Sequence, residues 1–179
     1  AAYGDQSIMP ITENMPPLPK SPYGLQKLTG ELYGELFSRI YDLPTVSLRY
    51  FNVYGPGMNP EGAYALVVTY FKKLRKEGKP LTITGDGTQT RDFVHVEDVV
   101  RATLLAARSN TVGKGEVINI GAGKNNCLSV NRIAEIIGGP VEYIPARLEP
   151  HDTLADISKA KKLLGWEPAI SIEEGLEKM

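Results

Sequence analysis

The amino-acid sequence predicts an α/β fold, because short strand-like runs alternate with amphipathic helical segments along the chain. The clearest helix signal begins at Ser21-Pro22, since serine caps helix N-termini and proline is favoured in the first turn. The clearest strand signal covers 45–50, where β-branched and aromatic residues recur. This alternation excludes an all-α or an all-β fold.

The first 41 residues divide into a loop and a helix. Residues 5–22 hold five prolines, too many for a strand within a sheet, and predict a surface loop. Leucine and isoleucine then recur at helical spacing, which predicts an amphipathic helix over 22–41. Gly24, Gly30 and Gly34 each cost about 1 kcal/mol inside a helix, so we expect another backbone to lie close against this one.

The rest of the chain continues the alternation. Strands are predicted over 45–50, 81–84, 93–95, 117–120 and 141–145. Helices are predicted over about 64–77, 96–109, 130–138, 157–164 and 172–179. Residues 52–62 predict a turn-rich loop. On the helix 96–109, the residues expected to share the apolar face are Val99, Val100, Thr103, Leu104 and Ala107.

Composition and charge exclude several classes of protein. With 20 Lys+Arg and 21 Asp+Glu among 179 residues, the net charge is −1, which argues against binding driven by a charged nucleic-acid or membrane surface. No apolar run reaches the roughly 18 residues of a membrane span, and the single cysteine, Cys127, excludes an intramolecular disulfide. We therefore expect a soluble, cytoplasmic protein without a nucleic-acid or membrane partner.

Tyr23 and Lys27 form the first candidate for catalysis. At positions i and i+4 they share one face of the predicted helix, with Cβ atoms roughly 5–6 Å apart. An ammonium group beside a phenol favours the phenolate, which is how a tyrosine becomes a general base. An ordinary amphipathic pair, with the lysine stem lying over the ring, explains the same spacing.

Two further segments place polar side chains next to predicted strands. Asn52 follows the strand 45–50, and ligands of α/β sheets bind past the carboxyl ends of strands. Arg91 lies between a glycine-rich turn and a strand, a position suited to an anion clamp. The alternatives are a strand that simply ends in a Gly-Pro turn, and a surface salt bridge from Arg91 to Asp86 or Asp92.

The remaining candidates are interpreted as structural. Gly121-Ala122-Gly123 resembles the start of a dinucleotide fingerprint, but Asn126 stands in place of the third glycine, so we do not expect a cofactor loop there. His95 and His151 have no metal-ligand spacing to each other or to Cys127, and no metal site is predicted.

Four motifs occur in an order that is more specific than any one of them. They are Tyr3-Gly4-Asp5, Ser21-Pro22-Tyr23-x-x-x-Lys27, Arg49-Tyr50-Phe51-Asn52-Val53-Tyr54-Gly55-Pro56 and Gly85-Asp86-Gly87-x-x-x-Arg91-Asp92-Phe93. Together they resemble the extended short-chain dehydrogenase/reductase superfamily, and most of all its nucleotide-sugar epimerases of the UDP-glucose 4-epimerase type. The fold implied is the C-terminal remainder of a Rossmann-type parallel sheet plus a small α/β substrate-binding domain.

The resemblance implies NAD as the cofactor and a nucleotide sugar, foremost a UDP-sugar, as the substrate. Tyr23 would take the proton from the sugar 4-hydroxyl as hydride passes to the nicotinamide, and Lys27 would hold the nicotinamide ribose. Both residues, together with Tyr50, would therefore bind the cofactor. The residues implied to bind the substrate are Asn52, Val67, Thr82, Thr84, Arg91 and Arg147.

The resemblance also divides the chain. Residues 1–56 and about 90–120 are expected to form the remainder of the NAD-binding Rossmann domain, and 57–89 and 121–179 the substrate domain. The family's glycine-rich phosphate-binding half has no counterpart in the sequence, so we expect no turnover from these 179 residues alone. The helix 22–41 is implied to pair two chains into a homodimer.

Other functions remain open. A 4,6-dehydratase, a decarboxylase or a reductase has the same scaffold, although Ala1 stands where dehydratases and decarboxylases of the superfamily carry glutamate, which favours an epimerase. The alternatives from other classes are a nucleotide-sugar binding module without chemistry, and a chain that only self-associates.

Overall fold

Helices and strands alternate through residues 1–62, 65–146 and 150–179, the part of the protein that its computed structural model describes. The helices are α1 Pro22–Tyr41, α2 Val67–Lys76, α3 Val96–Arg108, α4 Val130–Ile137, α5 Ser158–Leu164 and α6 Ile172–Glu177. The strands are β1 Thr45–Tyr50, β2 Asn52–Tyr54, β3 Leu81–Thr84, β4 Thr90–His95, β5 Lys114–Ile120, β6 Cys127–Ser129 and β7 Val141–Ile144.

Parallel pairing dominates the sheets. β1 pairs with β5, with Tyr50 opposite Ile120, and β2 pairs with β4, with Asn52 opposite Phe93. β3 and β7 form a third parallel pair, while β6 runs antiparallel to β4. The predicted α/β fold is confirmed, and since only Phe51 separates β1 from β2, one sheet leads directly into the next.

α1 begins and ends where the sequence predicts. The Ser21 hydroxyl accepts the N–H of Gly24 at 3.0 Å, and Pro22 occupies the first helical position. The large apolar side chains exposed on this helix are Tyr23, Leu25, Leu32, Tyr33, Leu36, Phe37, Ile40 and Tyr41. The apolar residues that predict the helix are therefore mostly not covered by the part of the chain that the structure describes.

The glycines of α1 meet different surroundings. A Cβ added to Gly24 would lie 2.8 Å from the carbonyl oxygen of Ala1, so glycine is needed for this close approach. Gly34 is within ordinary contact distance of Thr45 and Ser47, whereas a Cβ on Gly30 would have no neighbour within 4 Å. The expectation of a closely packed backbone is confirmed at Gly24 and is wrong at Gly30.

The sequence patterns do not predict two of the strands. The predicted loop 52–62 begins with β2, and β6 follows a single 3-10 turn, Gly123–Asn126. Each of these strands has three residues, too few to display an alternating pattern. Both pair with β4, which is distant in sequence, so tertiary pairing decides their conformation.

α3 packs through a different face from the one predicted. Val99, Ala102 and Ala106 are its buried apolar residues, whereas Val100 is 51% and Leu104 is 49% exposed. The small alanine side chains let the helix approach the sheet closely, and a pattern that scores only large apolar residues does not detect them.

The apolar interior consists of two clusters. The first contains Tyr54, Val68, Phe71, Leu74, Leu81, Ile83, Phe93, Val130, Ile133, Ala134, Ile172 and Leu176. The second contains Val94, Val99, Ala102, Ala106, Ile118, Ile120, Ala122, Ala160, Leu164 and Trp166. Neighbouring residues of β4, Phe93 and Val94, belong to different clusters, because successive side chains of a strand point to opposite faces.

Asp98 attaches the last part of the chain to α3. Its carboxylate, fully buried, accepts the backbone N–H groups of Ala169 and Ile170, and its carbonyl oxygen accepts the indole N–H of Trp166 at 3.0 Å. Arg101 donates to the same carboxylate at 2.6 Å. These bonds satisfy a buried charge and hold the segment before α6 in place.

None of the helices within the described residues is both long and apolar enough to cross a membrane.

His95 should make the stability of the protein depend on pH. Its ring is fully buried, and Nδ1 accepts the N–H of Glu97 at the start of α3; burial lowers the pKa of His95 below its ordinary value. A lowered folded-state pKa adds stability above the unfolded value of about 6.5, and that stability is lost as the pH falls. We expect the part of the free energy of unfolding that His95 contributes to be lost between about pH 7 and about pH 5.

The corresponding experiment is urea denaturation at both pH values. His95→Asn retains a side chain that can cap a helix but does not titrate, so its stability should fall less on acidification than that of the wild type. His151→Asn, at the exposed histidine, is the matched control and should leave the free energy of unfolding at pH 7 nearly unchanged. An unchanged pH dependence in His95→Asn would contradict this role.

Candidate active site

Tyr23 and Lys27 lie together at the start of α1. The Lys27 Nζ is 5.2 Å from the centroid of the Tyr23 ring. Tyr23 is 39% exposed, and Lys27 is also exposed, so both side chains are accessible to a ligand. The structure thus brings the predicted pair together, with the Lys27 ammonium group near the Tyr23 ring.

Tyr50 ends β1 and is 46% exposed. Its hydroxyl is 2.9 Å from the Thr103 hydroxyl of α3. The ring therefore lies at the carboxyl end of the β1–β5 sheet, where α/β proteins bind their ligands.

Asn52 lies at the beginning of β2 and is held from two sides. Its amide Nδ2 donates to the carbonyl oxygen of Asp92 at 3.0 Å and to the Thr153 hydroxyl at 3.3 Å. These bonds fix the orientation of the amide group. They also place Asn52 beside β4, the strand that carries Arg91.

Arg91 extends from β4 toward the segment after Pro150. Its Nη1 donates to the carbonyl oxygens of Thr90 and His151, each at 2.9 Å. The structure therefore places Asn52 and Arg91 on neighbouring strands, with Asn52 opposite Phe93, two residues along β4 from Arg91.

The other predicted substrate residues are more dispersed. Val67 is the first residue of α2 and packs against the first apolar cluster. Thr82 and Thr84 occupy the partly exposed positions of β3, and the Thr84 carbonyl accepts the Gln89 amide at 2.8 Å. Arg147 lies outside the described residues.

Asp92 is the residue beside this site that sequence reasoning missed. It is fully buried rather than part of a surface salt bridge. Its carboxylate accepts the backbone N–H groups of Ala122 at 2.6 Å, Gly123 at 3.2 Å and Ala155 at 2.9 Å. Burial raises the pKa of Asp92 to about 6, against the opposing effect of these three donors. An acidic residue next to an arginine suggests an ion pair. The sequence alone does not distinguish such a pair from a buried carboxylate that accepts backbone N–H groups.

The same carboxylate occupies backbone amides of the segment Gly121-Ala122-Gly123. The N–H groups of Ala122 and Gly123, which a phosphate would use, donate to Asp92. A Cβ on Gly121 would lie 2.7 Å from the Asp92 Oδ2, so glycine is required here for approach to an internal carboxylate. The glycine pattern thus has a structural reason.

The histidines take positions that differ in burial. His95 caps α3, as its interpretation as a strand-end residue suggests. His151 is exposed, with Nδ1 3.0 Å from Asp152 and Nε2 3.3 Å from the Thr88 hydroxyl. Within residues 1–62, 65–146 and 150–179, no group of three His, Cys, Asp or Glu side chains could hold a metal ion.

Comparison with known proteins decides the family. The sequence profile of the NAD dependent epimerase/dehydratase family matches residues 1–121. The chain belongs to this family. The resemblance drawn from the motif order is therefore confirmed, together with the implied fold.

Individual relatives agree with this NAD dependent epimerase/dehydratase assignment. A putative UDP-glucose 4-epimerase of Methanocaldococcus jannaschii is 40% identical over an alignment of 186 residues, which covers 100% of this chain and 58% of that protein. The solved UDP-glucose 4-epimerase of Thermotoga maritima with UDP-glucose matches with a TM-score of 0.86 and 42% identity, covering 98% of this chain and 57% of that one.

A solved complex of a further family member also matches. The UDP-glucuronic acid 4-epimerase of Bacillus cereus with UDP-glucuronic acid and NAD has a TM-score of 0.85 and 40% identity, over 99% of this chain and 56% of that one. The chain thus spans between half and two thirds of the length of these relatives.

Asp92 should contribute strongly to stability. In Asp92→Asn the amide Nδ2 presents hydrogens toward backbone donors, so at least one of the three N–H groups loses its acceptor. An unsatisfied buried donor costs about 1–3 kcal/mol, and we expect a loss of that size in urea denaturation near neutral pH. Asp5→Asn is the control, because Asp5 pairs with Lys20 at the surface, where a lost ion pair changes stability little. Equal losses in the two variants would contradict the role of Asp92.

Proposed function

We propose that the protein containing this chain is an NAD-dependent nucleotide-sugar 4-epimerase that acts on a UDP-sugar. The observation that carries the proposal is the Tyr23–Lys27 pair, with Nζ 5.2 Å from the ring centroid at the accessible start of α1. Family membership and the UDP-sugar epimerases among the relatives support it. A tyrosine base is what oxidation at a sugar hydroxyl requires.

In this proposal the Tyr23 phenol oxygen accepts the proton of the sugar 4-hydroxyl and later returns it. Lys27 stabilises the phenolate and holds the nicotinamide ribose, and Tyr50 lines the nicotinamide pocket. NAD, when bound, supplies the hydride acceptor. The net result would be a 4-epimerisation without net oxidation, in which Tyr23 takes and returns the same proton.

The described residues fit one end of the cofactor. An accessible phenol and ammonium at the start of α1 suit the nicotinamide ribose, whereas the amides of Ala122 and Gly123 are already bonded to Asp92. We therefore assign only the nicotinamide end of NAD to contacts with these residues. That the 179 residues alone show no turnover stays a prediction.

The substrate diphosphate is assigned to Asn52, Arg91 and Arg147. Asn52 and Arg91 lie on the neighbouring strands β2 and β4, and guanidinium groups suit phosphate oxygens. Val67, Thr82 and Thr84 are assigned to contacts with the nucleotide base and sugar. With the diphosphate, base and nucleotide sugar assigned to these residues, the sugar carbon that reacts would lie near Tyr23.

The two apolar clusters support a division into a cofactor domain and a substrate domain. The second cluster surrounds the β1–β5 sheet and the first surrounds β3, α2 and α4. The boundaries 1–56 with about 90–120, and 57–89 with 121–179, stay a prediction. Ala160, Leu164 and Trp166 belong to the second cluster, so α5 packs with the sheet of the proposed cofactor domain, whereas Ile172 and Leu176 of α6 belong to the first cluster.

The exposed apolar face of α1 supports a homodimer through this helix. Tyr33, Phe37 and Tyr41 form a ring series along it, with centroids 6.4 Å and 5.3 Å apart. Such a surface on a helix is typical of an interface between chains.

Tyr23→Phe tests the catalytic assignment. Loss of the phenol oxygen should lower kcat for interconversion of UDP-glucose and UDP-galactose by the complete protein by about 10²- to 10⁴-fold. Tyr33→Phe, at an exposed tyrosine of the same helix, should leave kcat near the wild-type value. Unchanged turnover in Tyr23→Phe would refute the role of Tyr23 as the base.

Arg91→Ala tests the substrate site. Calorimetry with UDP should show affinity reduced by about 10- to 100-fold, since hydrogen bonds to charged groups contribute about 1.5–3 kcal/mol. Arg132→Ala is the control, because Arg132 is exposed on α4 and pairs with Glu135.

Wild-type UDP binding without any turnover would favour the non-catalytic binding module. The products formed from UDP-sugars would separate an epimerase from a dehydratase or decarboxylase.

A further inference from the structure

Arg49 and Glu31 form an ion pair at the junction of β1 and α1. Arg49 Nε donates to Glu31 Oε2 at 2.8 Å and Nη2 donates to Oε1 at 2.5 Å. The two side chains are only 11% and 12% exposed. A parallel pair of charge-assisted bonds defines distance and orientation together, so this contact fixes how α1 rests on the strand.

Glu31 lies on the face of α1 that carries the candidate catalytic pair. Tyr23, Lys27 and Glu31 follow one another at intervals of four residues, which places them along one side of the helix. The hydrogen bonds from Ser38 to Gly113 and from Thr45 to Gly34 also join α1 to the sheet region, but they lie nearer the C-terminus of the helix. The Arg49–Glu31 contact is therefore an ion pair between β1 and the half of α1 that bears Tyr23.

Arg49 also contacts the first residues of the chain. Its guanidinium lies 4.4 Å from the centroid of the Tyr3 ring, and the Tyr3 hydroxyl donates to Asn119 Oδ1 at 2.6 Å. One side chain thus joins β1, α1 and the segment around Tyr3, and Asn119 connects that segment to β5.

The Glu31 carboxylate is an ionic partner of the Arg49 guanidinium. Arg49 Nη1 is buried and has no hydrogen-bond partner among the described residues. Without Glu31, the Arg49 guanidinium would still contact the Tyr3 ring but would lose both charge-assisted hydrogen bonds. Little water reaches this site to replace them. Breaking a buried pair by removing one partner is strongly unfavourable, so local rearrangement of α1 is the expected response.

We propose that Arg49 and Glu31 are positioning residues that set the rotation and depth of α1, and thereby the place of Tyr23 and Lys27 in the reaction. The inference rests on the proposed function for its catalytic consequence. Proton transfer needs donor and acceptor within hydrogen-bond distance, and a displacement of about 1 Å costs on the order of 10²-fold in rate.

The test uses Glu31→Gln and Arg49→Lys in the complete protein. Glu31→Gln keeps the shape of the side chain but removes its charge, and Arg49→Lys keeps a charge without the planar fork. We expect kcat to fall by about 10- to 100-fold, with KM for the UDP-sugar nearly unchanged, because Asn52 and Arg91 lie on β2 and β4. Glu35→Gln is the matched control, since Glu35 is exposed one turn further along α1 and has no ion pair within the described residues.

A second measurement separates positioning from simple destabilisation. Amide hydrogen exchange of residues 22–31 should become faster in Glu31→Gln and Arg49→Lys, while exchange in β3 and α4 stays at the wild-type rate. Faster exchange confined to α1 together with reduced kcat and constant KM supports the proposal. Unchanged exchange of α1, or wild-type kcat despite faster exchange, overturns it.

Failure of the proposed function gives a different result. A wild-type protein that turns over no UDP-sugar, or a Tyr23→Phe variant as active as the wild type, refutes the 4-epimerase assignment. The proposed effect of Arg49 and Glu31 on kcat is then refuted together with that assignment. The exchange rates of α1 alone still decide whether Arg49 and Glu31 hold the helix.

Discussion

The buried carboxylate of Asp92 is the interaction on which the candidate substrate site depends. A charge without exposure to water must be satisfied by donors, and Asp92 takes the backbone N–H groups of Ala122, Gly123 and Ala155. These donors come from two segments that are distant along the chain. Because the neighbouring residue on β4 is Arg91, the same bonds fix the strand from which that side chain extends.

Other buried polar side chains join the chain in the same manner. Asp98 holds the backbone before α6 against α3, and Tyr3 reaches Asn119 across the sheet. Arg49 and Glu31 connect β1 to α1. Each contact joins segments that apolar packing alone would leave free to slide, since apolar contacts are less directional than hydrogen bonds. Tyr23 and Lys27 on α1, Tyr50 on β1 and Arg91 on β4 lie on elements that these contacts fix.

The site combines two parts of different origin. Tyr23 and Lys27 come from one helical turn, so their proximity follows from helix geometry alone. Asn52 and Arg91 lie on neighbouring strands because β2 pairs with β4. A helix and a strand pair can be displaced relative to each other, and the proposed reaction requires both parts to meet one substrate. Contacts between helix and sheet therefore matter for function as much as the residues that would touch the ligand.

The sequence by itself determined the α/β class, the bounds of α1 and β1, the Tyr23–Lys27 pair and the family, because all four follow from local spacing and motif order. Only the tertiary structure decided that 52–54 is a strand, that α3 packs through alanines, and that Asp92 is buried rather than paired at the surface. These outcomes depend on partners tens of residues away. Local propensity carries no information about such partners, since the free energy of a three-residue strand or of a buried carboxylate comes from the contacts that enclose it.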